Sequence, residues 1–217
     1  MKKGRKKPAP VTDPVKRTRL SPEIRRRQIL EAALVEFSSL GFAAASIAKI
    51  AQRVGISKAN VYVHFSSKDE IFETLLQSLL GGAHDNWLKM RESGDAREFI
   101  DNLVDATYAS LTPQTLSIVR LLISEGHRIP DLVAKWNEAN VRTREERQAA
   151  IDQYVSAGML RAGPLADHFN FAMTPLIYVA VAQMVLGDLA ADEVEKIKDT
   201  HRSVLYQLLD PTPISTD

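Results

Sequence analysis

Apolar residues recur along this chain at spacings of three and four, segment after segment, and no stretch alternates long enough to read as a strand. The first segment predicts a helix from Pro22, at N1 behind a Ser21 cap, to Leu40, with Leu30, Ala33, Leu34 and Phe37 as its buried stripe. Gly41 supplies the stop and Phe42 the apolar contact after it. Two short helices follow within residues 46–65. A fourth helix starts after Ser66-Ser67 and runs towards Met90, with Ser67 and Glu70 spaced as a capping box. Further helices are predicted near 95–111, 113–126, 130–157, 165–187 and 191–209. Gly94, Pro113, the GHRIP stretch at 126–130, Gly158 with Gly163-Pro164, and Gly187 separate them.

The stretch Phe169–Leu186 approaches the length of a membrane span, but it contains Asn170, Thr174, Pro175 and Gln183 and has no basic flank. It reads as a helix buried on all sides of a soluble bundle. The last helix is amphipathic instead, with Val194, Ile197, His201, Val204, Leu205 and Leu208 on one side.

Residues 46–65, SIAKIAQRVGISKANVYVHF, hold the most specific pattern. Ser46 caps a helix whose apolar positions are Ile47, Ile50, Ala51 and Val54. Gly55 takes a positive φ without steric cost and lets the chain reverse. Ile56 fills the corner, and Ser57 caps a second helix anchored by Val61 and Phe65. This is the residue logic of a helix-turn-helix, whose second helix enters the major groove of DNA. An ordinary helical hairpin in a core explains the apolar spacing. It does not explain the outward set Ser57, Lys58, Asn60, Tyr62 and His64, which are hydrogen-bond donors and one cation.

The sequence from Glu23 to about Ala83 resembles the DNA-binding domain of the tetracycline-repressor (TetR) family of transcriptional regulators. The matching runs are RRQILEAALVEFSSLGF, then S-IAKIAQRVGIS, then KANVYVHFSSKDEIF. Val54 stands where the family more often has Ala, and Val63 where it often has a polar or aromatic residue. The resemblance implies that Ser46, Ser57, Tyr62, His64 and Lys68 contact phosphates, which suit hydroxyls, helix N-termini and an ammonium. It also implies that Lys58, Ala59, Asn60 and Val63 face base edges: Lys58 guanine, Asn60 adenine, the two small apolar residues a thymine methyl. Homodimerisation through the last two helices follows from the same resemblance, and from the match between a two-fold dimer and a palindromic operator.

Charge sharpens this picture. Up to Lys68 there are 15 Lys+Arg against 4 Asp+Glu, a formal +11; from Asp69 onward there are 13 against 23, a formal −10. The near-neutral whole therefore hides a basic front, which attracts phosphates, and an acidic rear. The first twenty residues carry eight basic residues and three prolines and are expected to form a disordered arm, either solvated or reaching the DNA. The absence of cysteine excludes disulfides and thiolate chemistry and fits a cytoplasmic location. The five histidines lack metal-ligand spacing, and no phosphate loop, nucleophile elbow or cofactor motif is present, so no metal, no cofactor and no catalysis are expected.

The expected molecule is all-α: residues 1–22 a disordered basic arm, 23–83 a three-helix helix-turn-helix DNA-binding domain, and 84–217 a larger helical-bundle domain for effector binding and dimerisation. It is expected to be a DNA-binding transcriptional regulator, a repressor released from a double-stranded palindromic operator by a small molecule. The fourth helix is the expected lever, with Gly81-Gly82 a weak point inside it. The alternatives are a sequence-independent DNA-binding protein, or an all-helical binding protein or enzyme with an incidental basic tail. For the effector pocket, the polar and aromatic residues of the later helices are candidates: Tyr108, Glu125, Trp136, Asn140, His168, Asn170, Met173 and Tyr178.

Overall fold

The computed structural model describes residues 21–90 and 93–212 and, within the fourth helix, all side chains but those of 80–86 and 88–89. The basic arm over residues 1–20 lies outside the described residues. Among those described, the chain forms α1 (Pro22–Ala44), α2 (Ile47–Val54), α3 (Lys58–Tyr62), α4 (Lys68–Met90), α5 (Ala96–Ala109), α6 (Pro113–Glu125), α7 (Pro130–Ser156), α8 (Pro164–Asp167), α9 (Thr174–Leu186) and α10 (Ala191–Leu209), and no strand.

Caps explain most of the boundaries. The Ser21, Ser46 and Ser57 hydroxyls accept the backbone N–H groups of Ile24, Lys49 and Asn60, and Asp95 and Thr112 do the same for α5 and α6. Gly55 has φ +74°, as the turn between α2 and α3 requires. α1 continues past Leu40, but Gly41 breaks its geometry with φ 76° and ψ 161°, so the chain kinks where the glycine was expected to stop it. Ser67 accepts the Glu70 N–H, whereas the Glu70 carboxylate reaches back to Ser66, one residue earlier than a strict capping box.

Two apolar cores result. The first joins Ile29, Ala33, Phe37, Ile50, Val61, Phe65, Phe72 and Leu76 of α1–α4 with Ile118, Leu121, Ile129 and Leu132 from α6 and the start of α7. At its centre Phe37, Phe42 and Phe72 meet with ring centres 5.0–5.6 Å apart. The second core gathers Trp87, Phe99, Ile100, Val104, Ile151, Val179 and Leu205 from α4, α5, α7, α9 and α10, with Phe169 from the turn before α9. α4 therefore runs as one helix across the expected boundary at 83/84 and places side chains in both cores.

Two expectations fail in this second half. The helix predicted over 165–187 is three pieces: α8, a 3₁₀ turn over Phe169–Met173, and α9. Gln148 of α7 explains the break, accepting the Phe169 N–H and donating to the Ala166 carbonyl, which satisfies backbone groups that a continuous helix would pair internally. Nor is α9 buried on all sides. Val179 and Ala180 face the core, but Ile177, Tyr178, Val181, Val185 and Leu186 are exposed, with Leu189 just beyond at 87%. α10 likewise turns Val194, His201, Leu205 and Leu209 inward and leaves Val204 and Leu208 half exposed on another side. The 169–209 run passes a length-and-apolarity test for a membrane span. α9 itself, at 13 residues, extends only about 20 Å between 3₁₀ turns, short of a hydrocarbon core of roughly 30 Å.

Candidate nucleic-acid interface

α2 and α3 are fixed from behind. The Arg53 guanidinium grips the buried Glu36 carboxylate at 2.7 and 2.9 Å, tying α2 to α1. Arg26 of α1 donates to the His64 carbonyl and lies over the Phe65 ring at 4.1 Å, clamping the end of the second helix. Val61 and Phe65 are fully buried, so α3 can present only its opposite face. That face carries Ser57, Lys58, Ala59, Asn60, Tyr62 and Val63, all exposed, Val63 by 76%. The Lys58 ammonium stands 5.7 Å from the Tyr62 ring centre. Ser46 and His64 are half-buried at its edges. Eight of the nine residues expected to meet DNA thus line one surface around two helix N-termini.

Lys68 is the exception. Its ammonium donates to the carbonyls of Phe42 (2.6 Å), Ala45 (3.1 Å) and Ala43 (3.3 Å) and sits 4.4 Å from the Phe42 ring centre. It satisfies orphan carbonyls at the end of α1 instead of facing outward. Sequence reasoning could not see this, because the three acceptors lie on a bend 23 to 26 residues away.

A family model described as "Bacterial regulatory proteins, tetR family" matches residues 29–75, which cover this surface and its supports. The HTH-type transcriptional regulator UidR of Escherichia coli K12 is 28% identical over 178 residues, 79% of this chain and 84% of that protein. The HTH-type transcriptional regulator TtgR of Pseudomonas putida is 37% identical over 81 residues, 37% of this chain and 38% of its own. The crystal structure of a TetR-family regulator from Mesorhizobium loti superimposes with a TM-score of 0.69 at 20% identity, covering 88% of this chain and 100% of that one. The chain is thus similar to TetR-family regulators, with the family's own model matched over residues 29–75. It is a DNA-binding transcriptional regulator and not an enzyme. TetR-family regulators bind DNA operators and small-molecule effectors and act as dimers.

The eight residues expected at the effector site are not brought together. Tyr108 is buried, its hydroxyl 3.3 Å from His201 Nδ1, and burial pushes its pKa up to about 12. Glu125 is buried at the joint between α6 and α1, where it accepts the Phe42 N–H at 3.0 Å and pairs with Arg128 at 3.1 Å. Trp136 packs on the first core with its indole N–H buried and without an acceptor. Asn140 is half-buried on α7, whereas His168, Asn170 and Tyr178 are exposed. Pro175 frees no carbonyl, because it sits in the first turn of α9, where an N–H has no helical partner to lose. Met173 lines a cavity of about 200 Å³ between α4, α5, α7 and α9, and His168 lines a larger, more open one of about 680 Å³ between α8 and α10. Arg147 lines the smaller cavity and was missed, since nothing in a run of arginines and glutamates marks which one faces inward.

Proposed function

We propose that this protein is a homodimeric repressor which reads a palindromic operator with α3 and is released by a small-molecule effector bound in its C-terminal half. One observation carries the reading of the DNA surface: α3 buries Val61 and Phe65 completely and leaves Lys58, Ala59, Asn60, Tyr62 and Val63 outward. In this reading Lys58, Ala59, Asn60 and Val63 meet base edges, and Ser46, Ser57, Tyr62 and His64 meet phosphates. Lys68 acts behind them, holding the bend that orients α2. The exposed apolar residues of α9 and α10 support pairing with the same helices of a second copy, since a monomer rarely leaves so continuous an apolar face to water. Effector and DNA then oppose each other by linkage, each weakening the other by one factor.

The test is selection of bound sequences from random DNA, followed by affinity measurements across salt. The expected result is a two-fold-symmetric site whose binding weakens steeply with salt. Equal affinity for unrelated DNA would replace this reading with sequence-independent binding.

A further inference from the structure

Arg147 stands on α7 two turns beyond Asn140 and enters the cavity between α4, α5, α7 and α9. Its guanidinium carbon is 5.7 Å from the centre of the Trp87 ring. Among the described residues no carboxylate pairs with it and no acceptor receives its hydrogens. The nearby acids of its own helix, Glu145 and Glu146, are exposed. Burial first, and then the like charge of Arg144, hold the guanidinium below its ordinary pKa. An arginine stays charged, so half-buried Arg147 brings a positive charge and its N–H donors to a largely apolar cavity. The other polar groups there are Thr107 and Ser110. The Ser110 hydroxyl is committed to the Thr107 carbonyl, whereas the Thr107 hydroxyl has no hydrogen bond among the described residues. Met90 and Met173 supply soft apolar walls beside Trp87.

We propose that this cavity binds a small organic carboxylate, with Arg147 as the anion's anchor, the Thr107 hydroxyl as a second donor, and Trp87, Met90 and Met173 around an apolar body. The inference rests on the effector-responsive reading above and names the ligand class for it. Arg suits the role because its planar fork meets a carboxylate in two parallel hydrogen bonds. At about 200 Å³ the space lies below the roughly 300–1,000 Å³ of sites for drug-sized ligands, which points to one ring or a short acyl chain. The walls come from α4, which also enters the first core, and from α9, which carries the exposed apolar face, so the ligand touches both parts that a release mechanism must move.

The experiment uses the full chain and matched probes, benzoate with benzamide and hexanoate with hexanamide. Binding is read by melting temperature and intrinsic tryptophan fluorescence, and operator release is measured separately. A carboxylate is expected to bind saturably while its amide does not, and Arg147→Gln is expected to weaken that binding about tenfold or more. Ligand-free Arg147→Met is expected to melt no lower than wild type, because it removes a half-buried charge that no carboxylate among the described residues pairs with. No saturable binding of either carboxylate at millimolar concentration, equal binding of acid and amide, or unchanged affinity in Arg147→Gln would each overturn the proposal. So would a lower melting temperature of Arg147→Met, the mark of a structural role. Carboxylate binding without operator release refutes the effector-responsive reading and leaves the anchor standing.

Discussion

At Lys68 three backbone carbonyls compete with DNA for a single ammonium, and they hold it already. Replacing Lys68 with Met is therefore expected to cost about 1–2 kcal/mol of stability, discounted for partial exposure, as measured by urea unfolding. The slope of operator affinity against salt should stay unchanged; a slope reduced by about 1, with wild-type stability, would return Lys68 to the phosphates. On the outward face of α3, Asn60→Ala should relax base preference at one operator position. Tyr62→Phe should weaken all sequences alike, each by about 1–3 kcal/mol. An unchanged preference in Asn60→Ala would remove that side chain from base reading. His201 adds a pH dependence. Burial, the larger cause, lowers its pKa against a weaker opposing effect of the nearby Ala172 backbone, and Tyr108 is its side-chain neighbour. The unfolded chain then binds the proton first as pH falls, so the stability from a neutral His201 is complete above about 6.5 and is lost below it. Thermal melts between pH 5 and 8 should show that loss in wild type and less of it in His201→Gln. The surface of α3 was legible because outward polarity and inward apolarity alternate within one short helix. The partners of Lys68 and Glu125 were not, because both reach bends far away in sequence.

The kink of α1 and the turn after α2 both rest on glycine, with unequal demands. Gly55 is left-handed with open space around the missing Cβ, whereas Gly41 combines φ +76° with ψ 161°, and a Cβ there would meet the Glu125 carboxylate at 3.2 Å. Gly55→Ala is expected to cost about 1–2 kcal/mol and Gly41→Ala clearly more, measured by urea unfolding. The reverse order would mean that the bend of α1 adapts. Helix starts were readable from Ser, Thr, Asp and Pro at their caps. The break between α8 and α9 was not, because the Gln148 side chain that makes it affordable belongs to another helix. α4 stays helical through Gly81-Gly82, where two glycines weaken it by about 1 kcal/mol each relative to alanine. Replacing both with Ala should alter effector-induced release from the operator more than operator affinity without effector. An equal change in both would assign the pair to packing.

At the scale of the whole molecule, the chain up to Lys68 is basic, and among the described residues α9 and α10 leave an apolar face exposed. A charge at Val185 or Leu189, exposed by 75% and 87%, costs little in a monomer. Val185→Glu with Leu189→Glu should therefore keep the melting behaviour of the fold, give a monomer in sedimentation, and lose most operator affinity. A dimer surviving both changes would move the interface elsewhere. Hydropathy revealed the apolarity of α9 but not its direction, since a helix apolar all round gives no clue to which side meets its own chain. The first core, finally, sets a rule for engineering. Ile118, Leu121, Ile129 and Leu132 complete the wall behind the helix-turn-helix. A chimera that grafts only residues 21–83 onto another regulator's body would carry the whole reading surface with one side of its footing bare. Such a graft must travel with α6 and the first turn of α7, or be repacked where they stood.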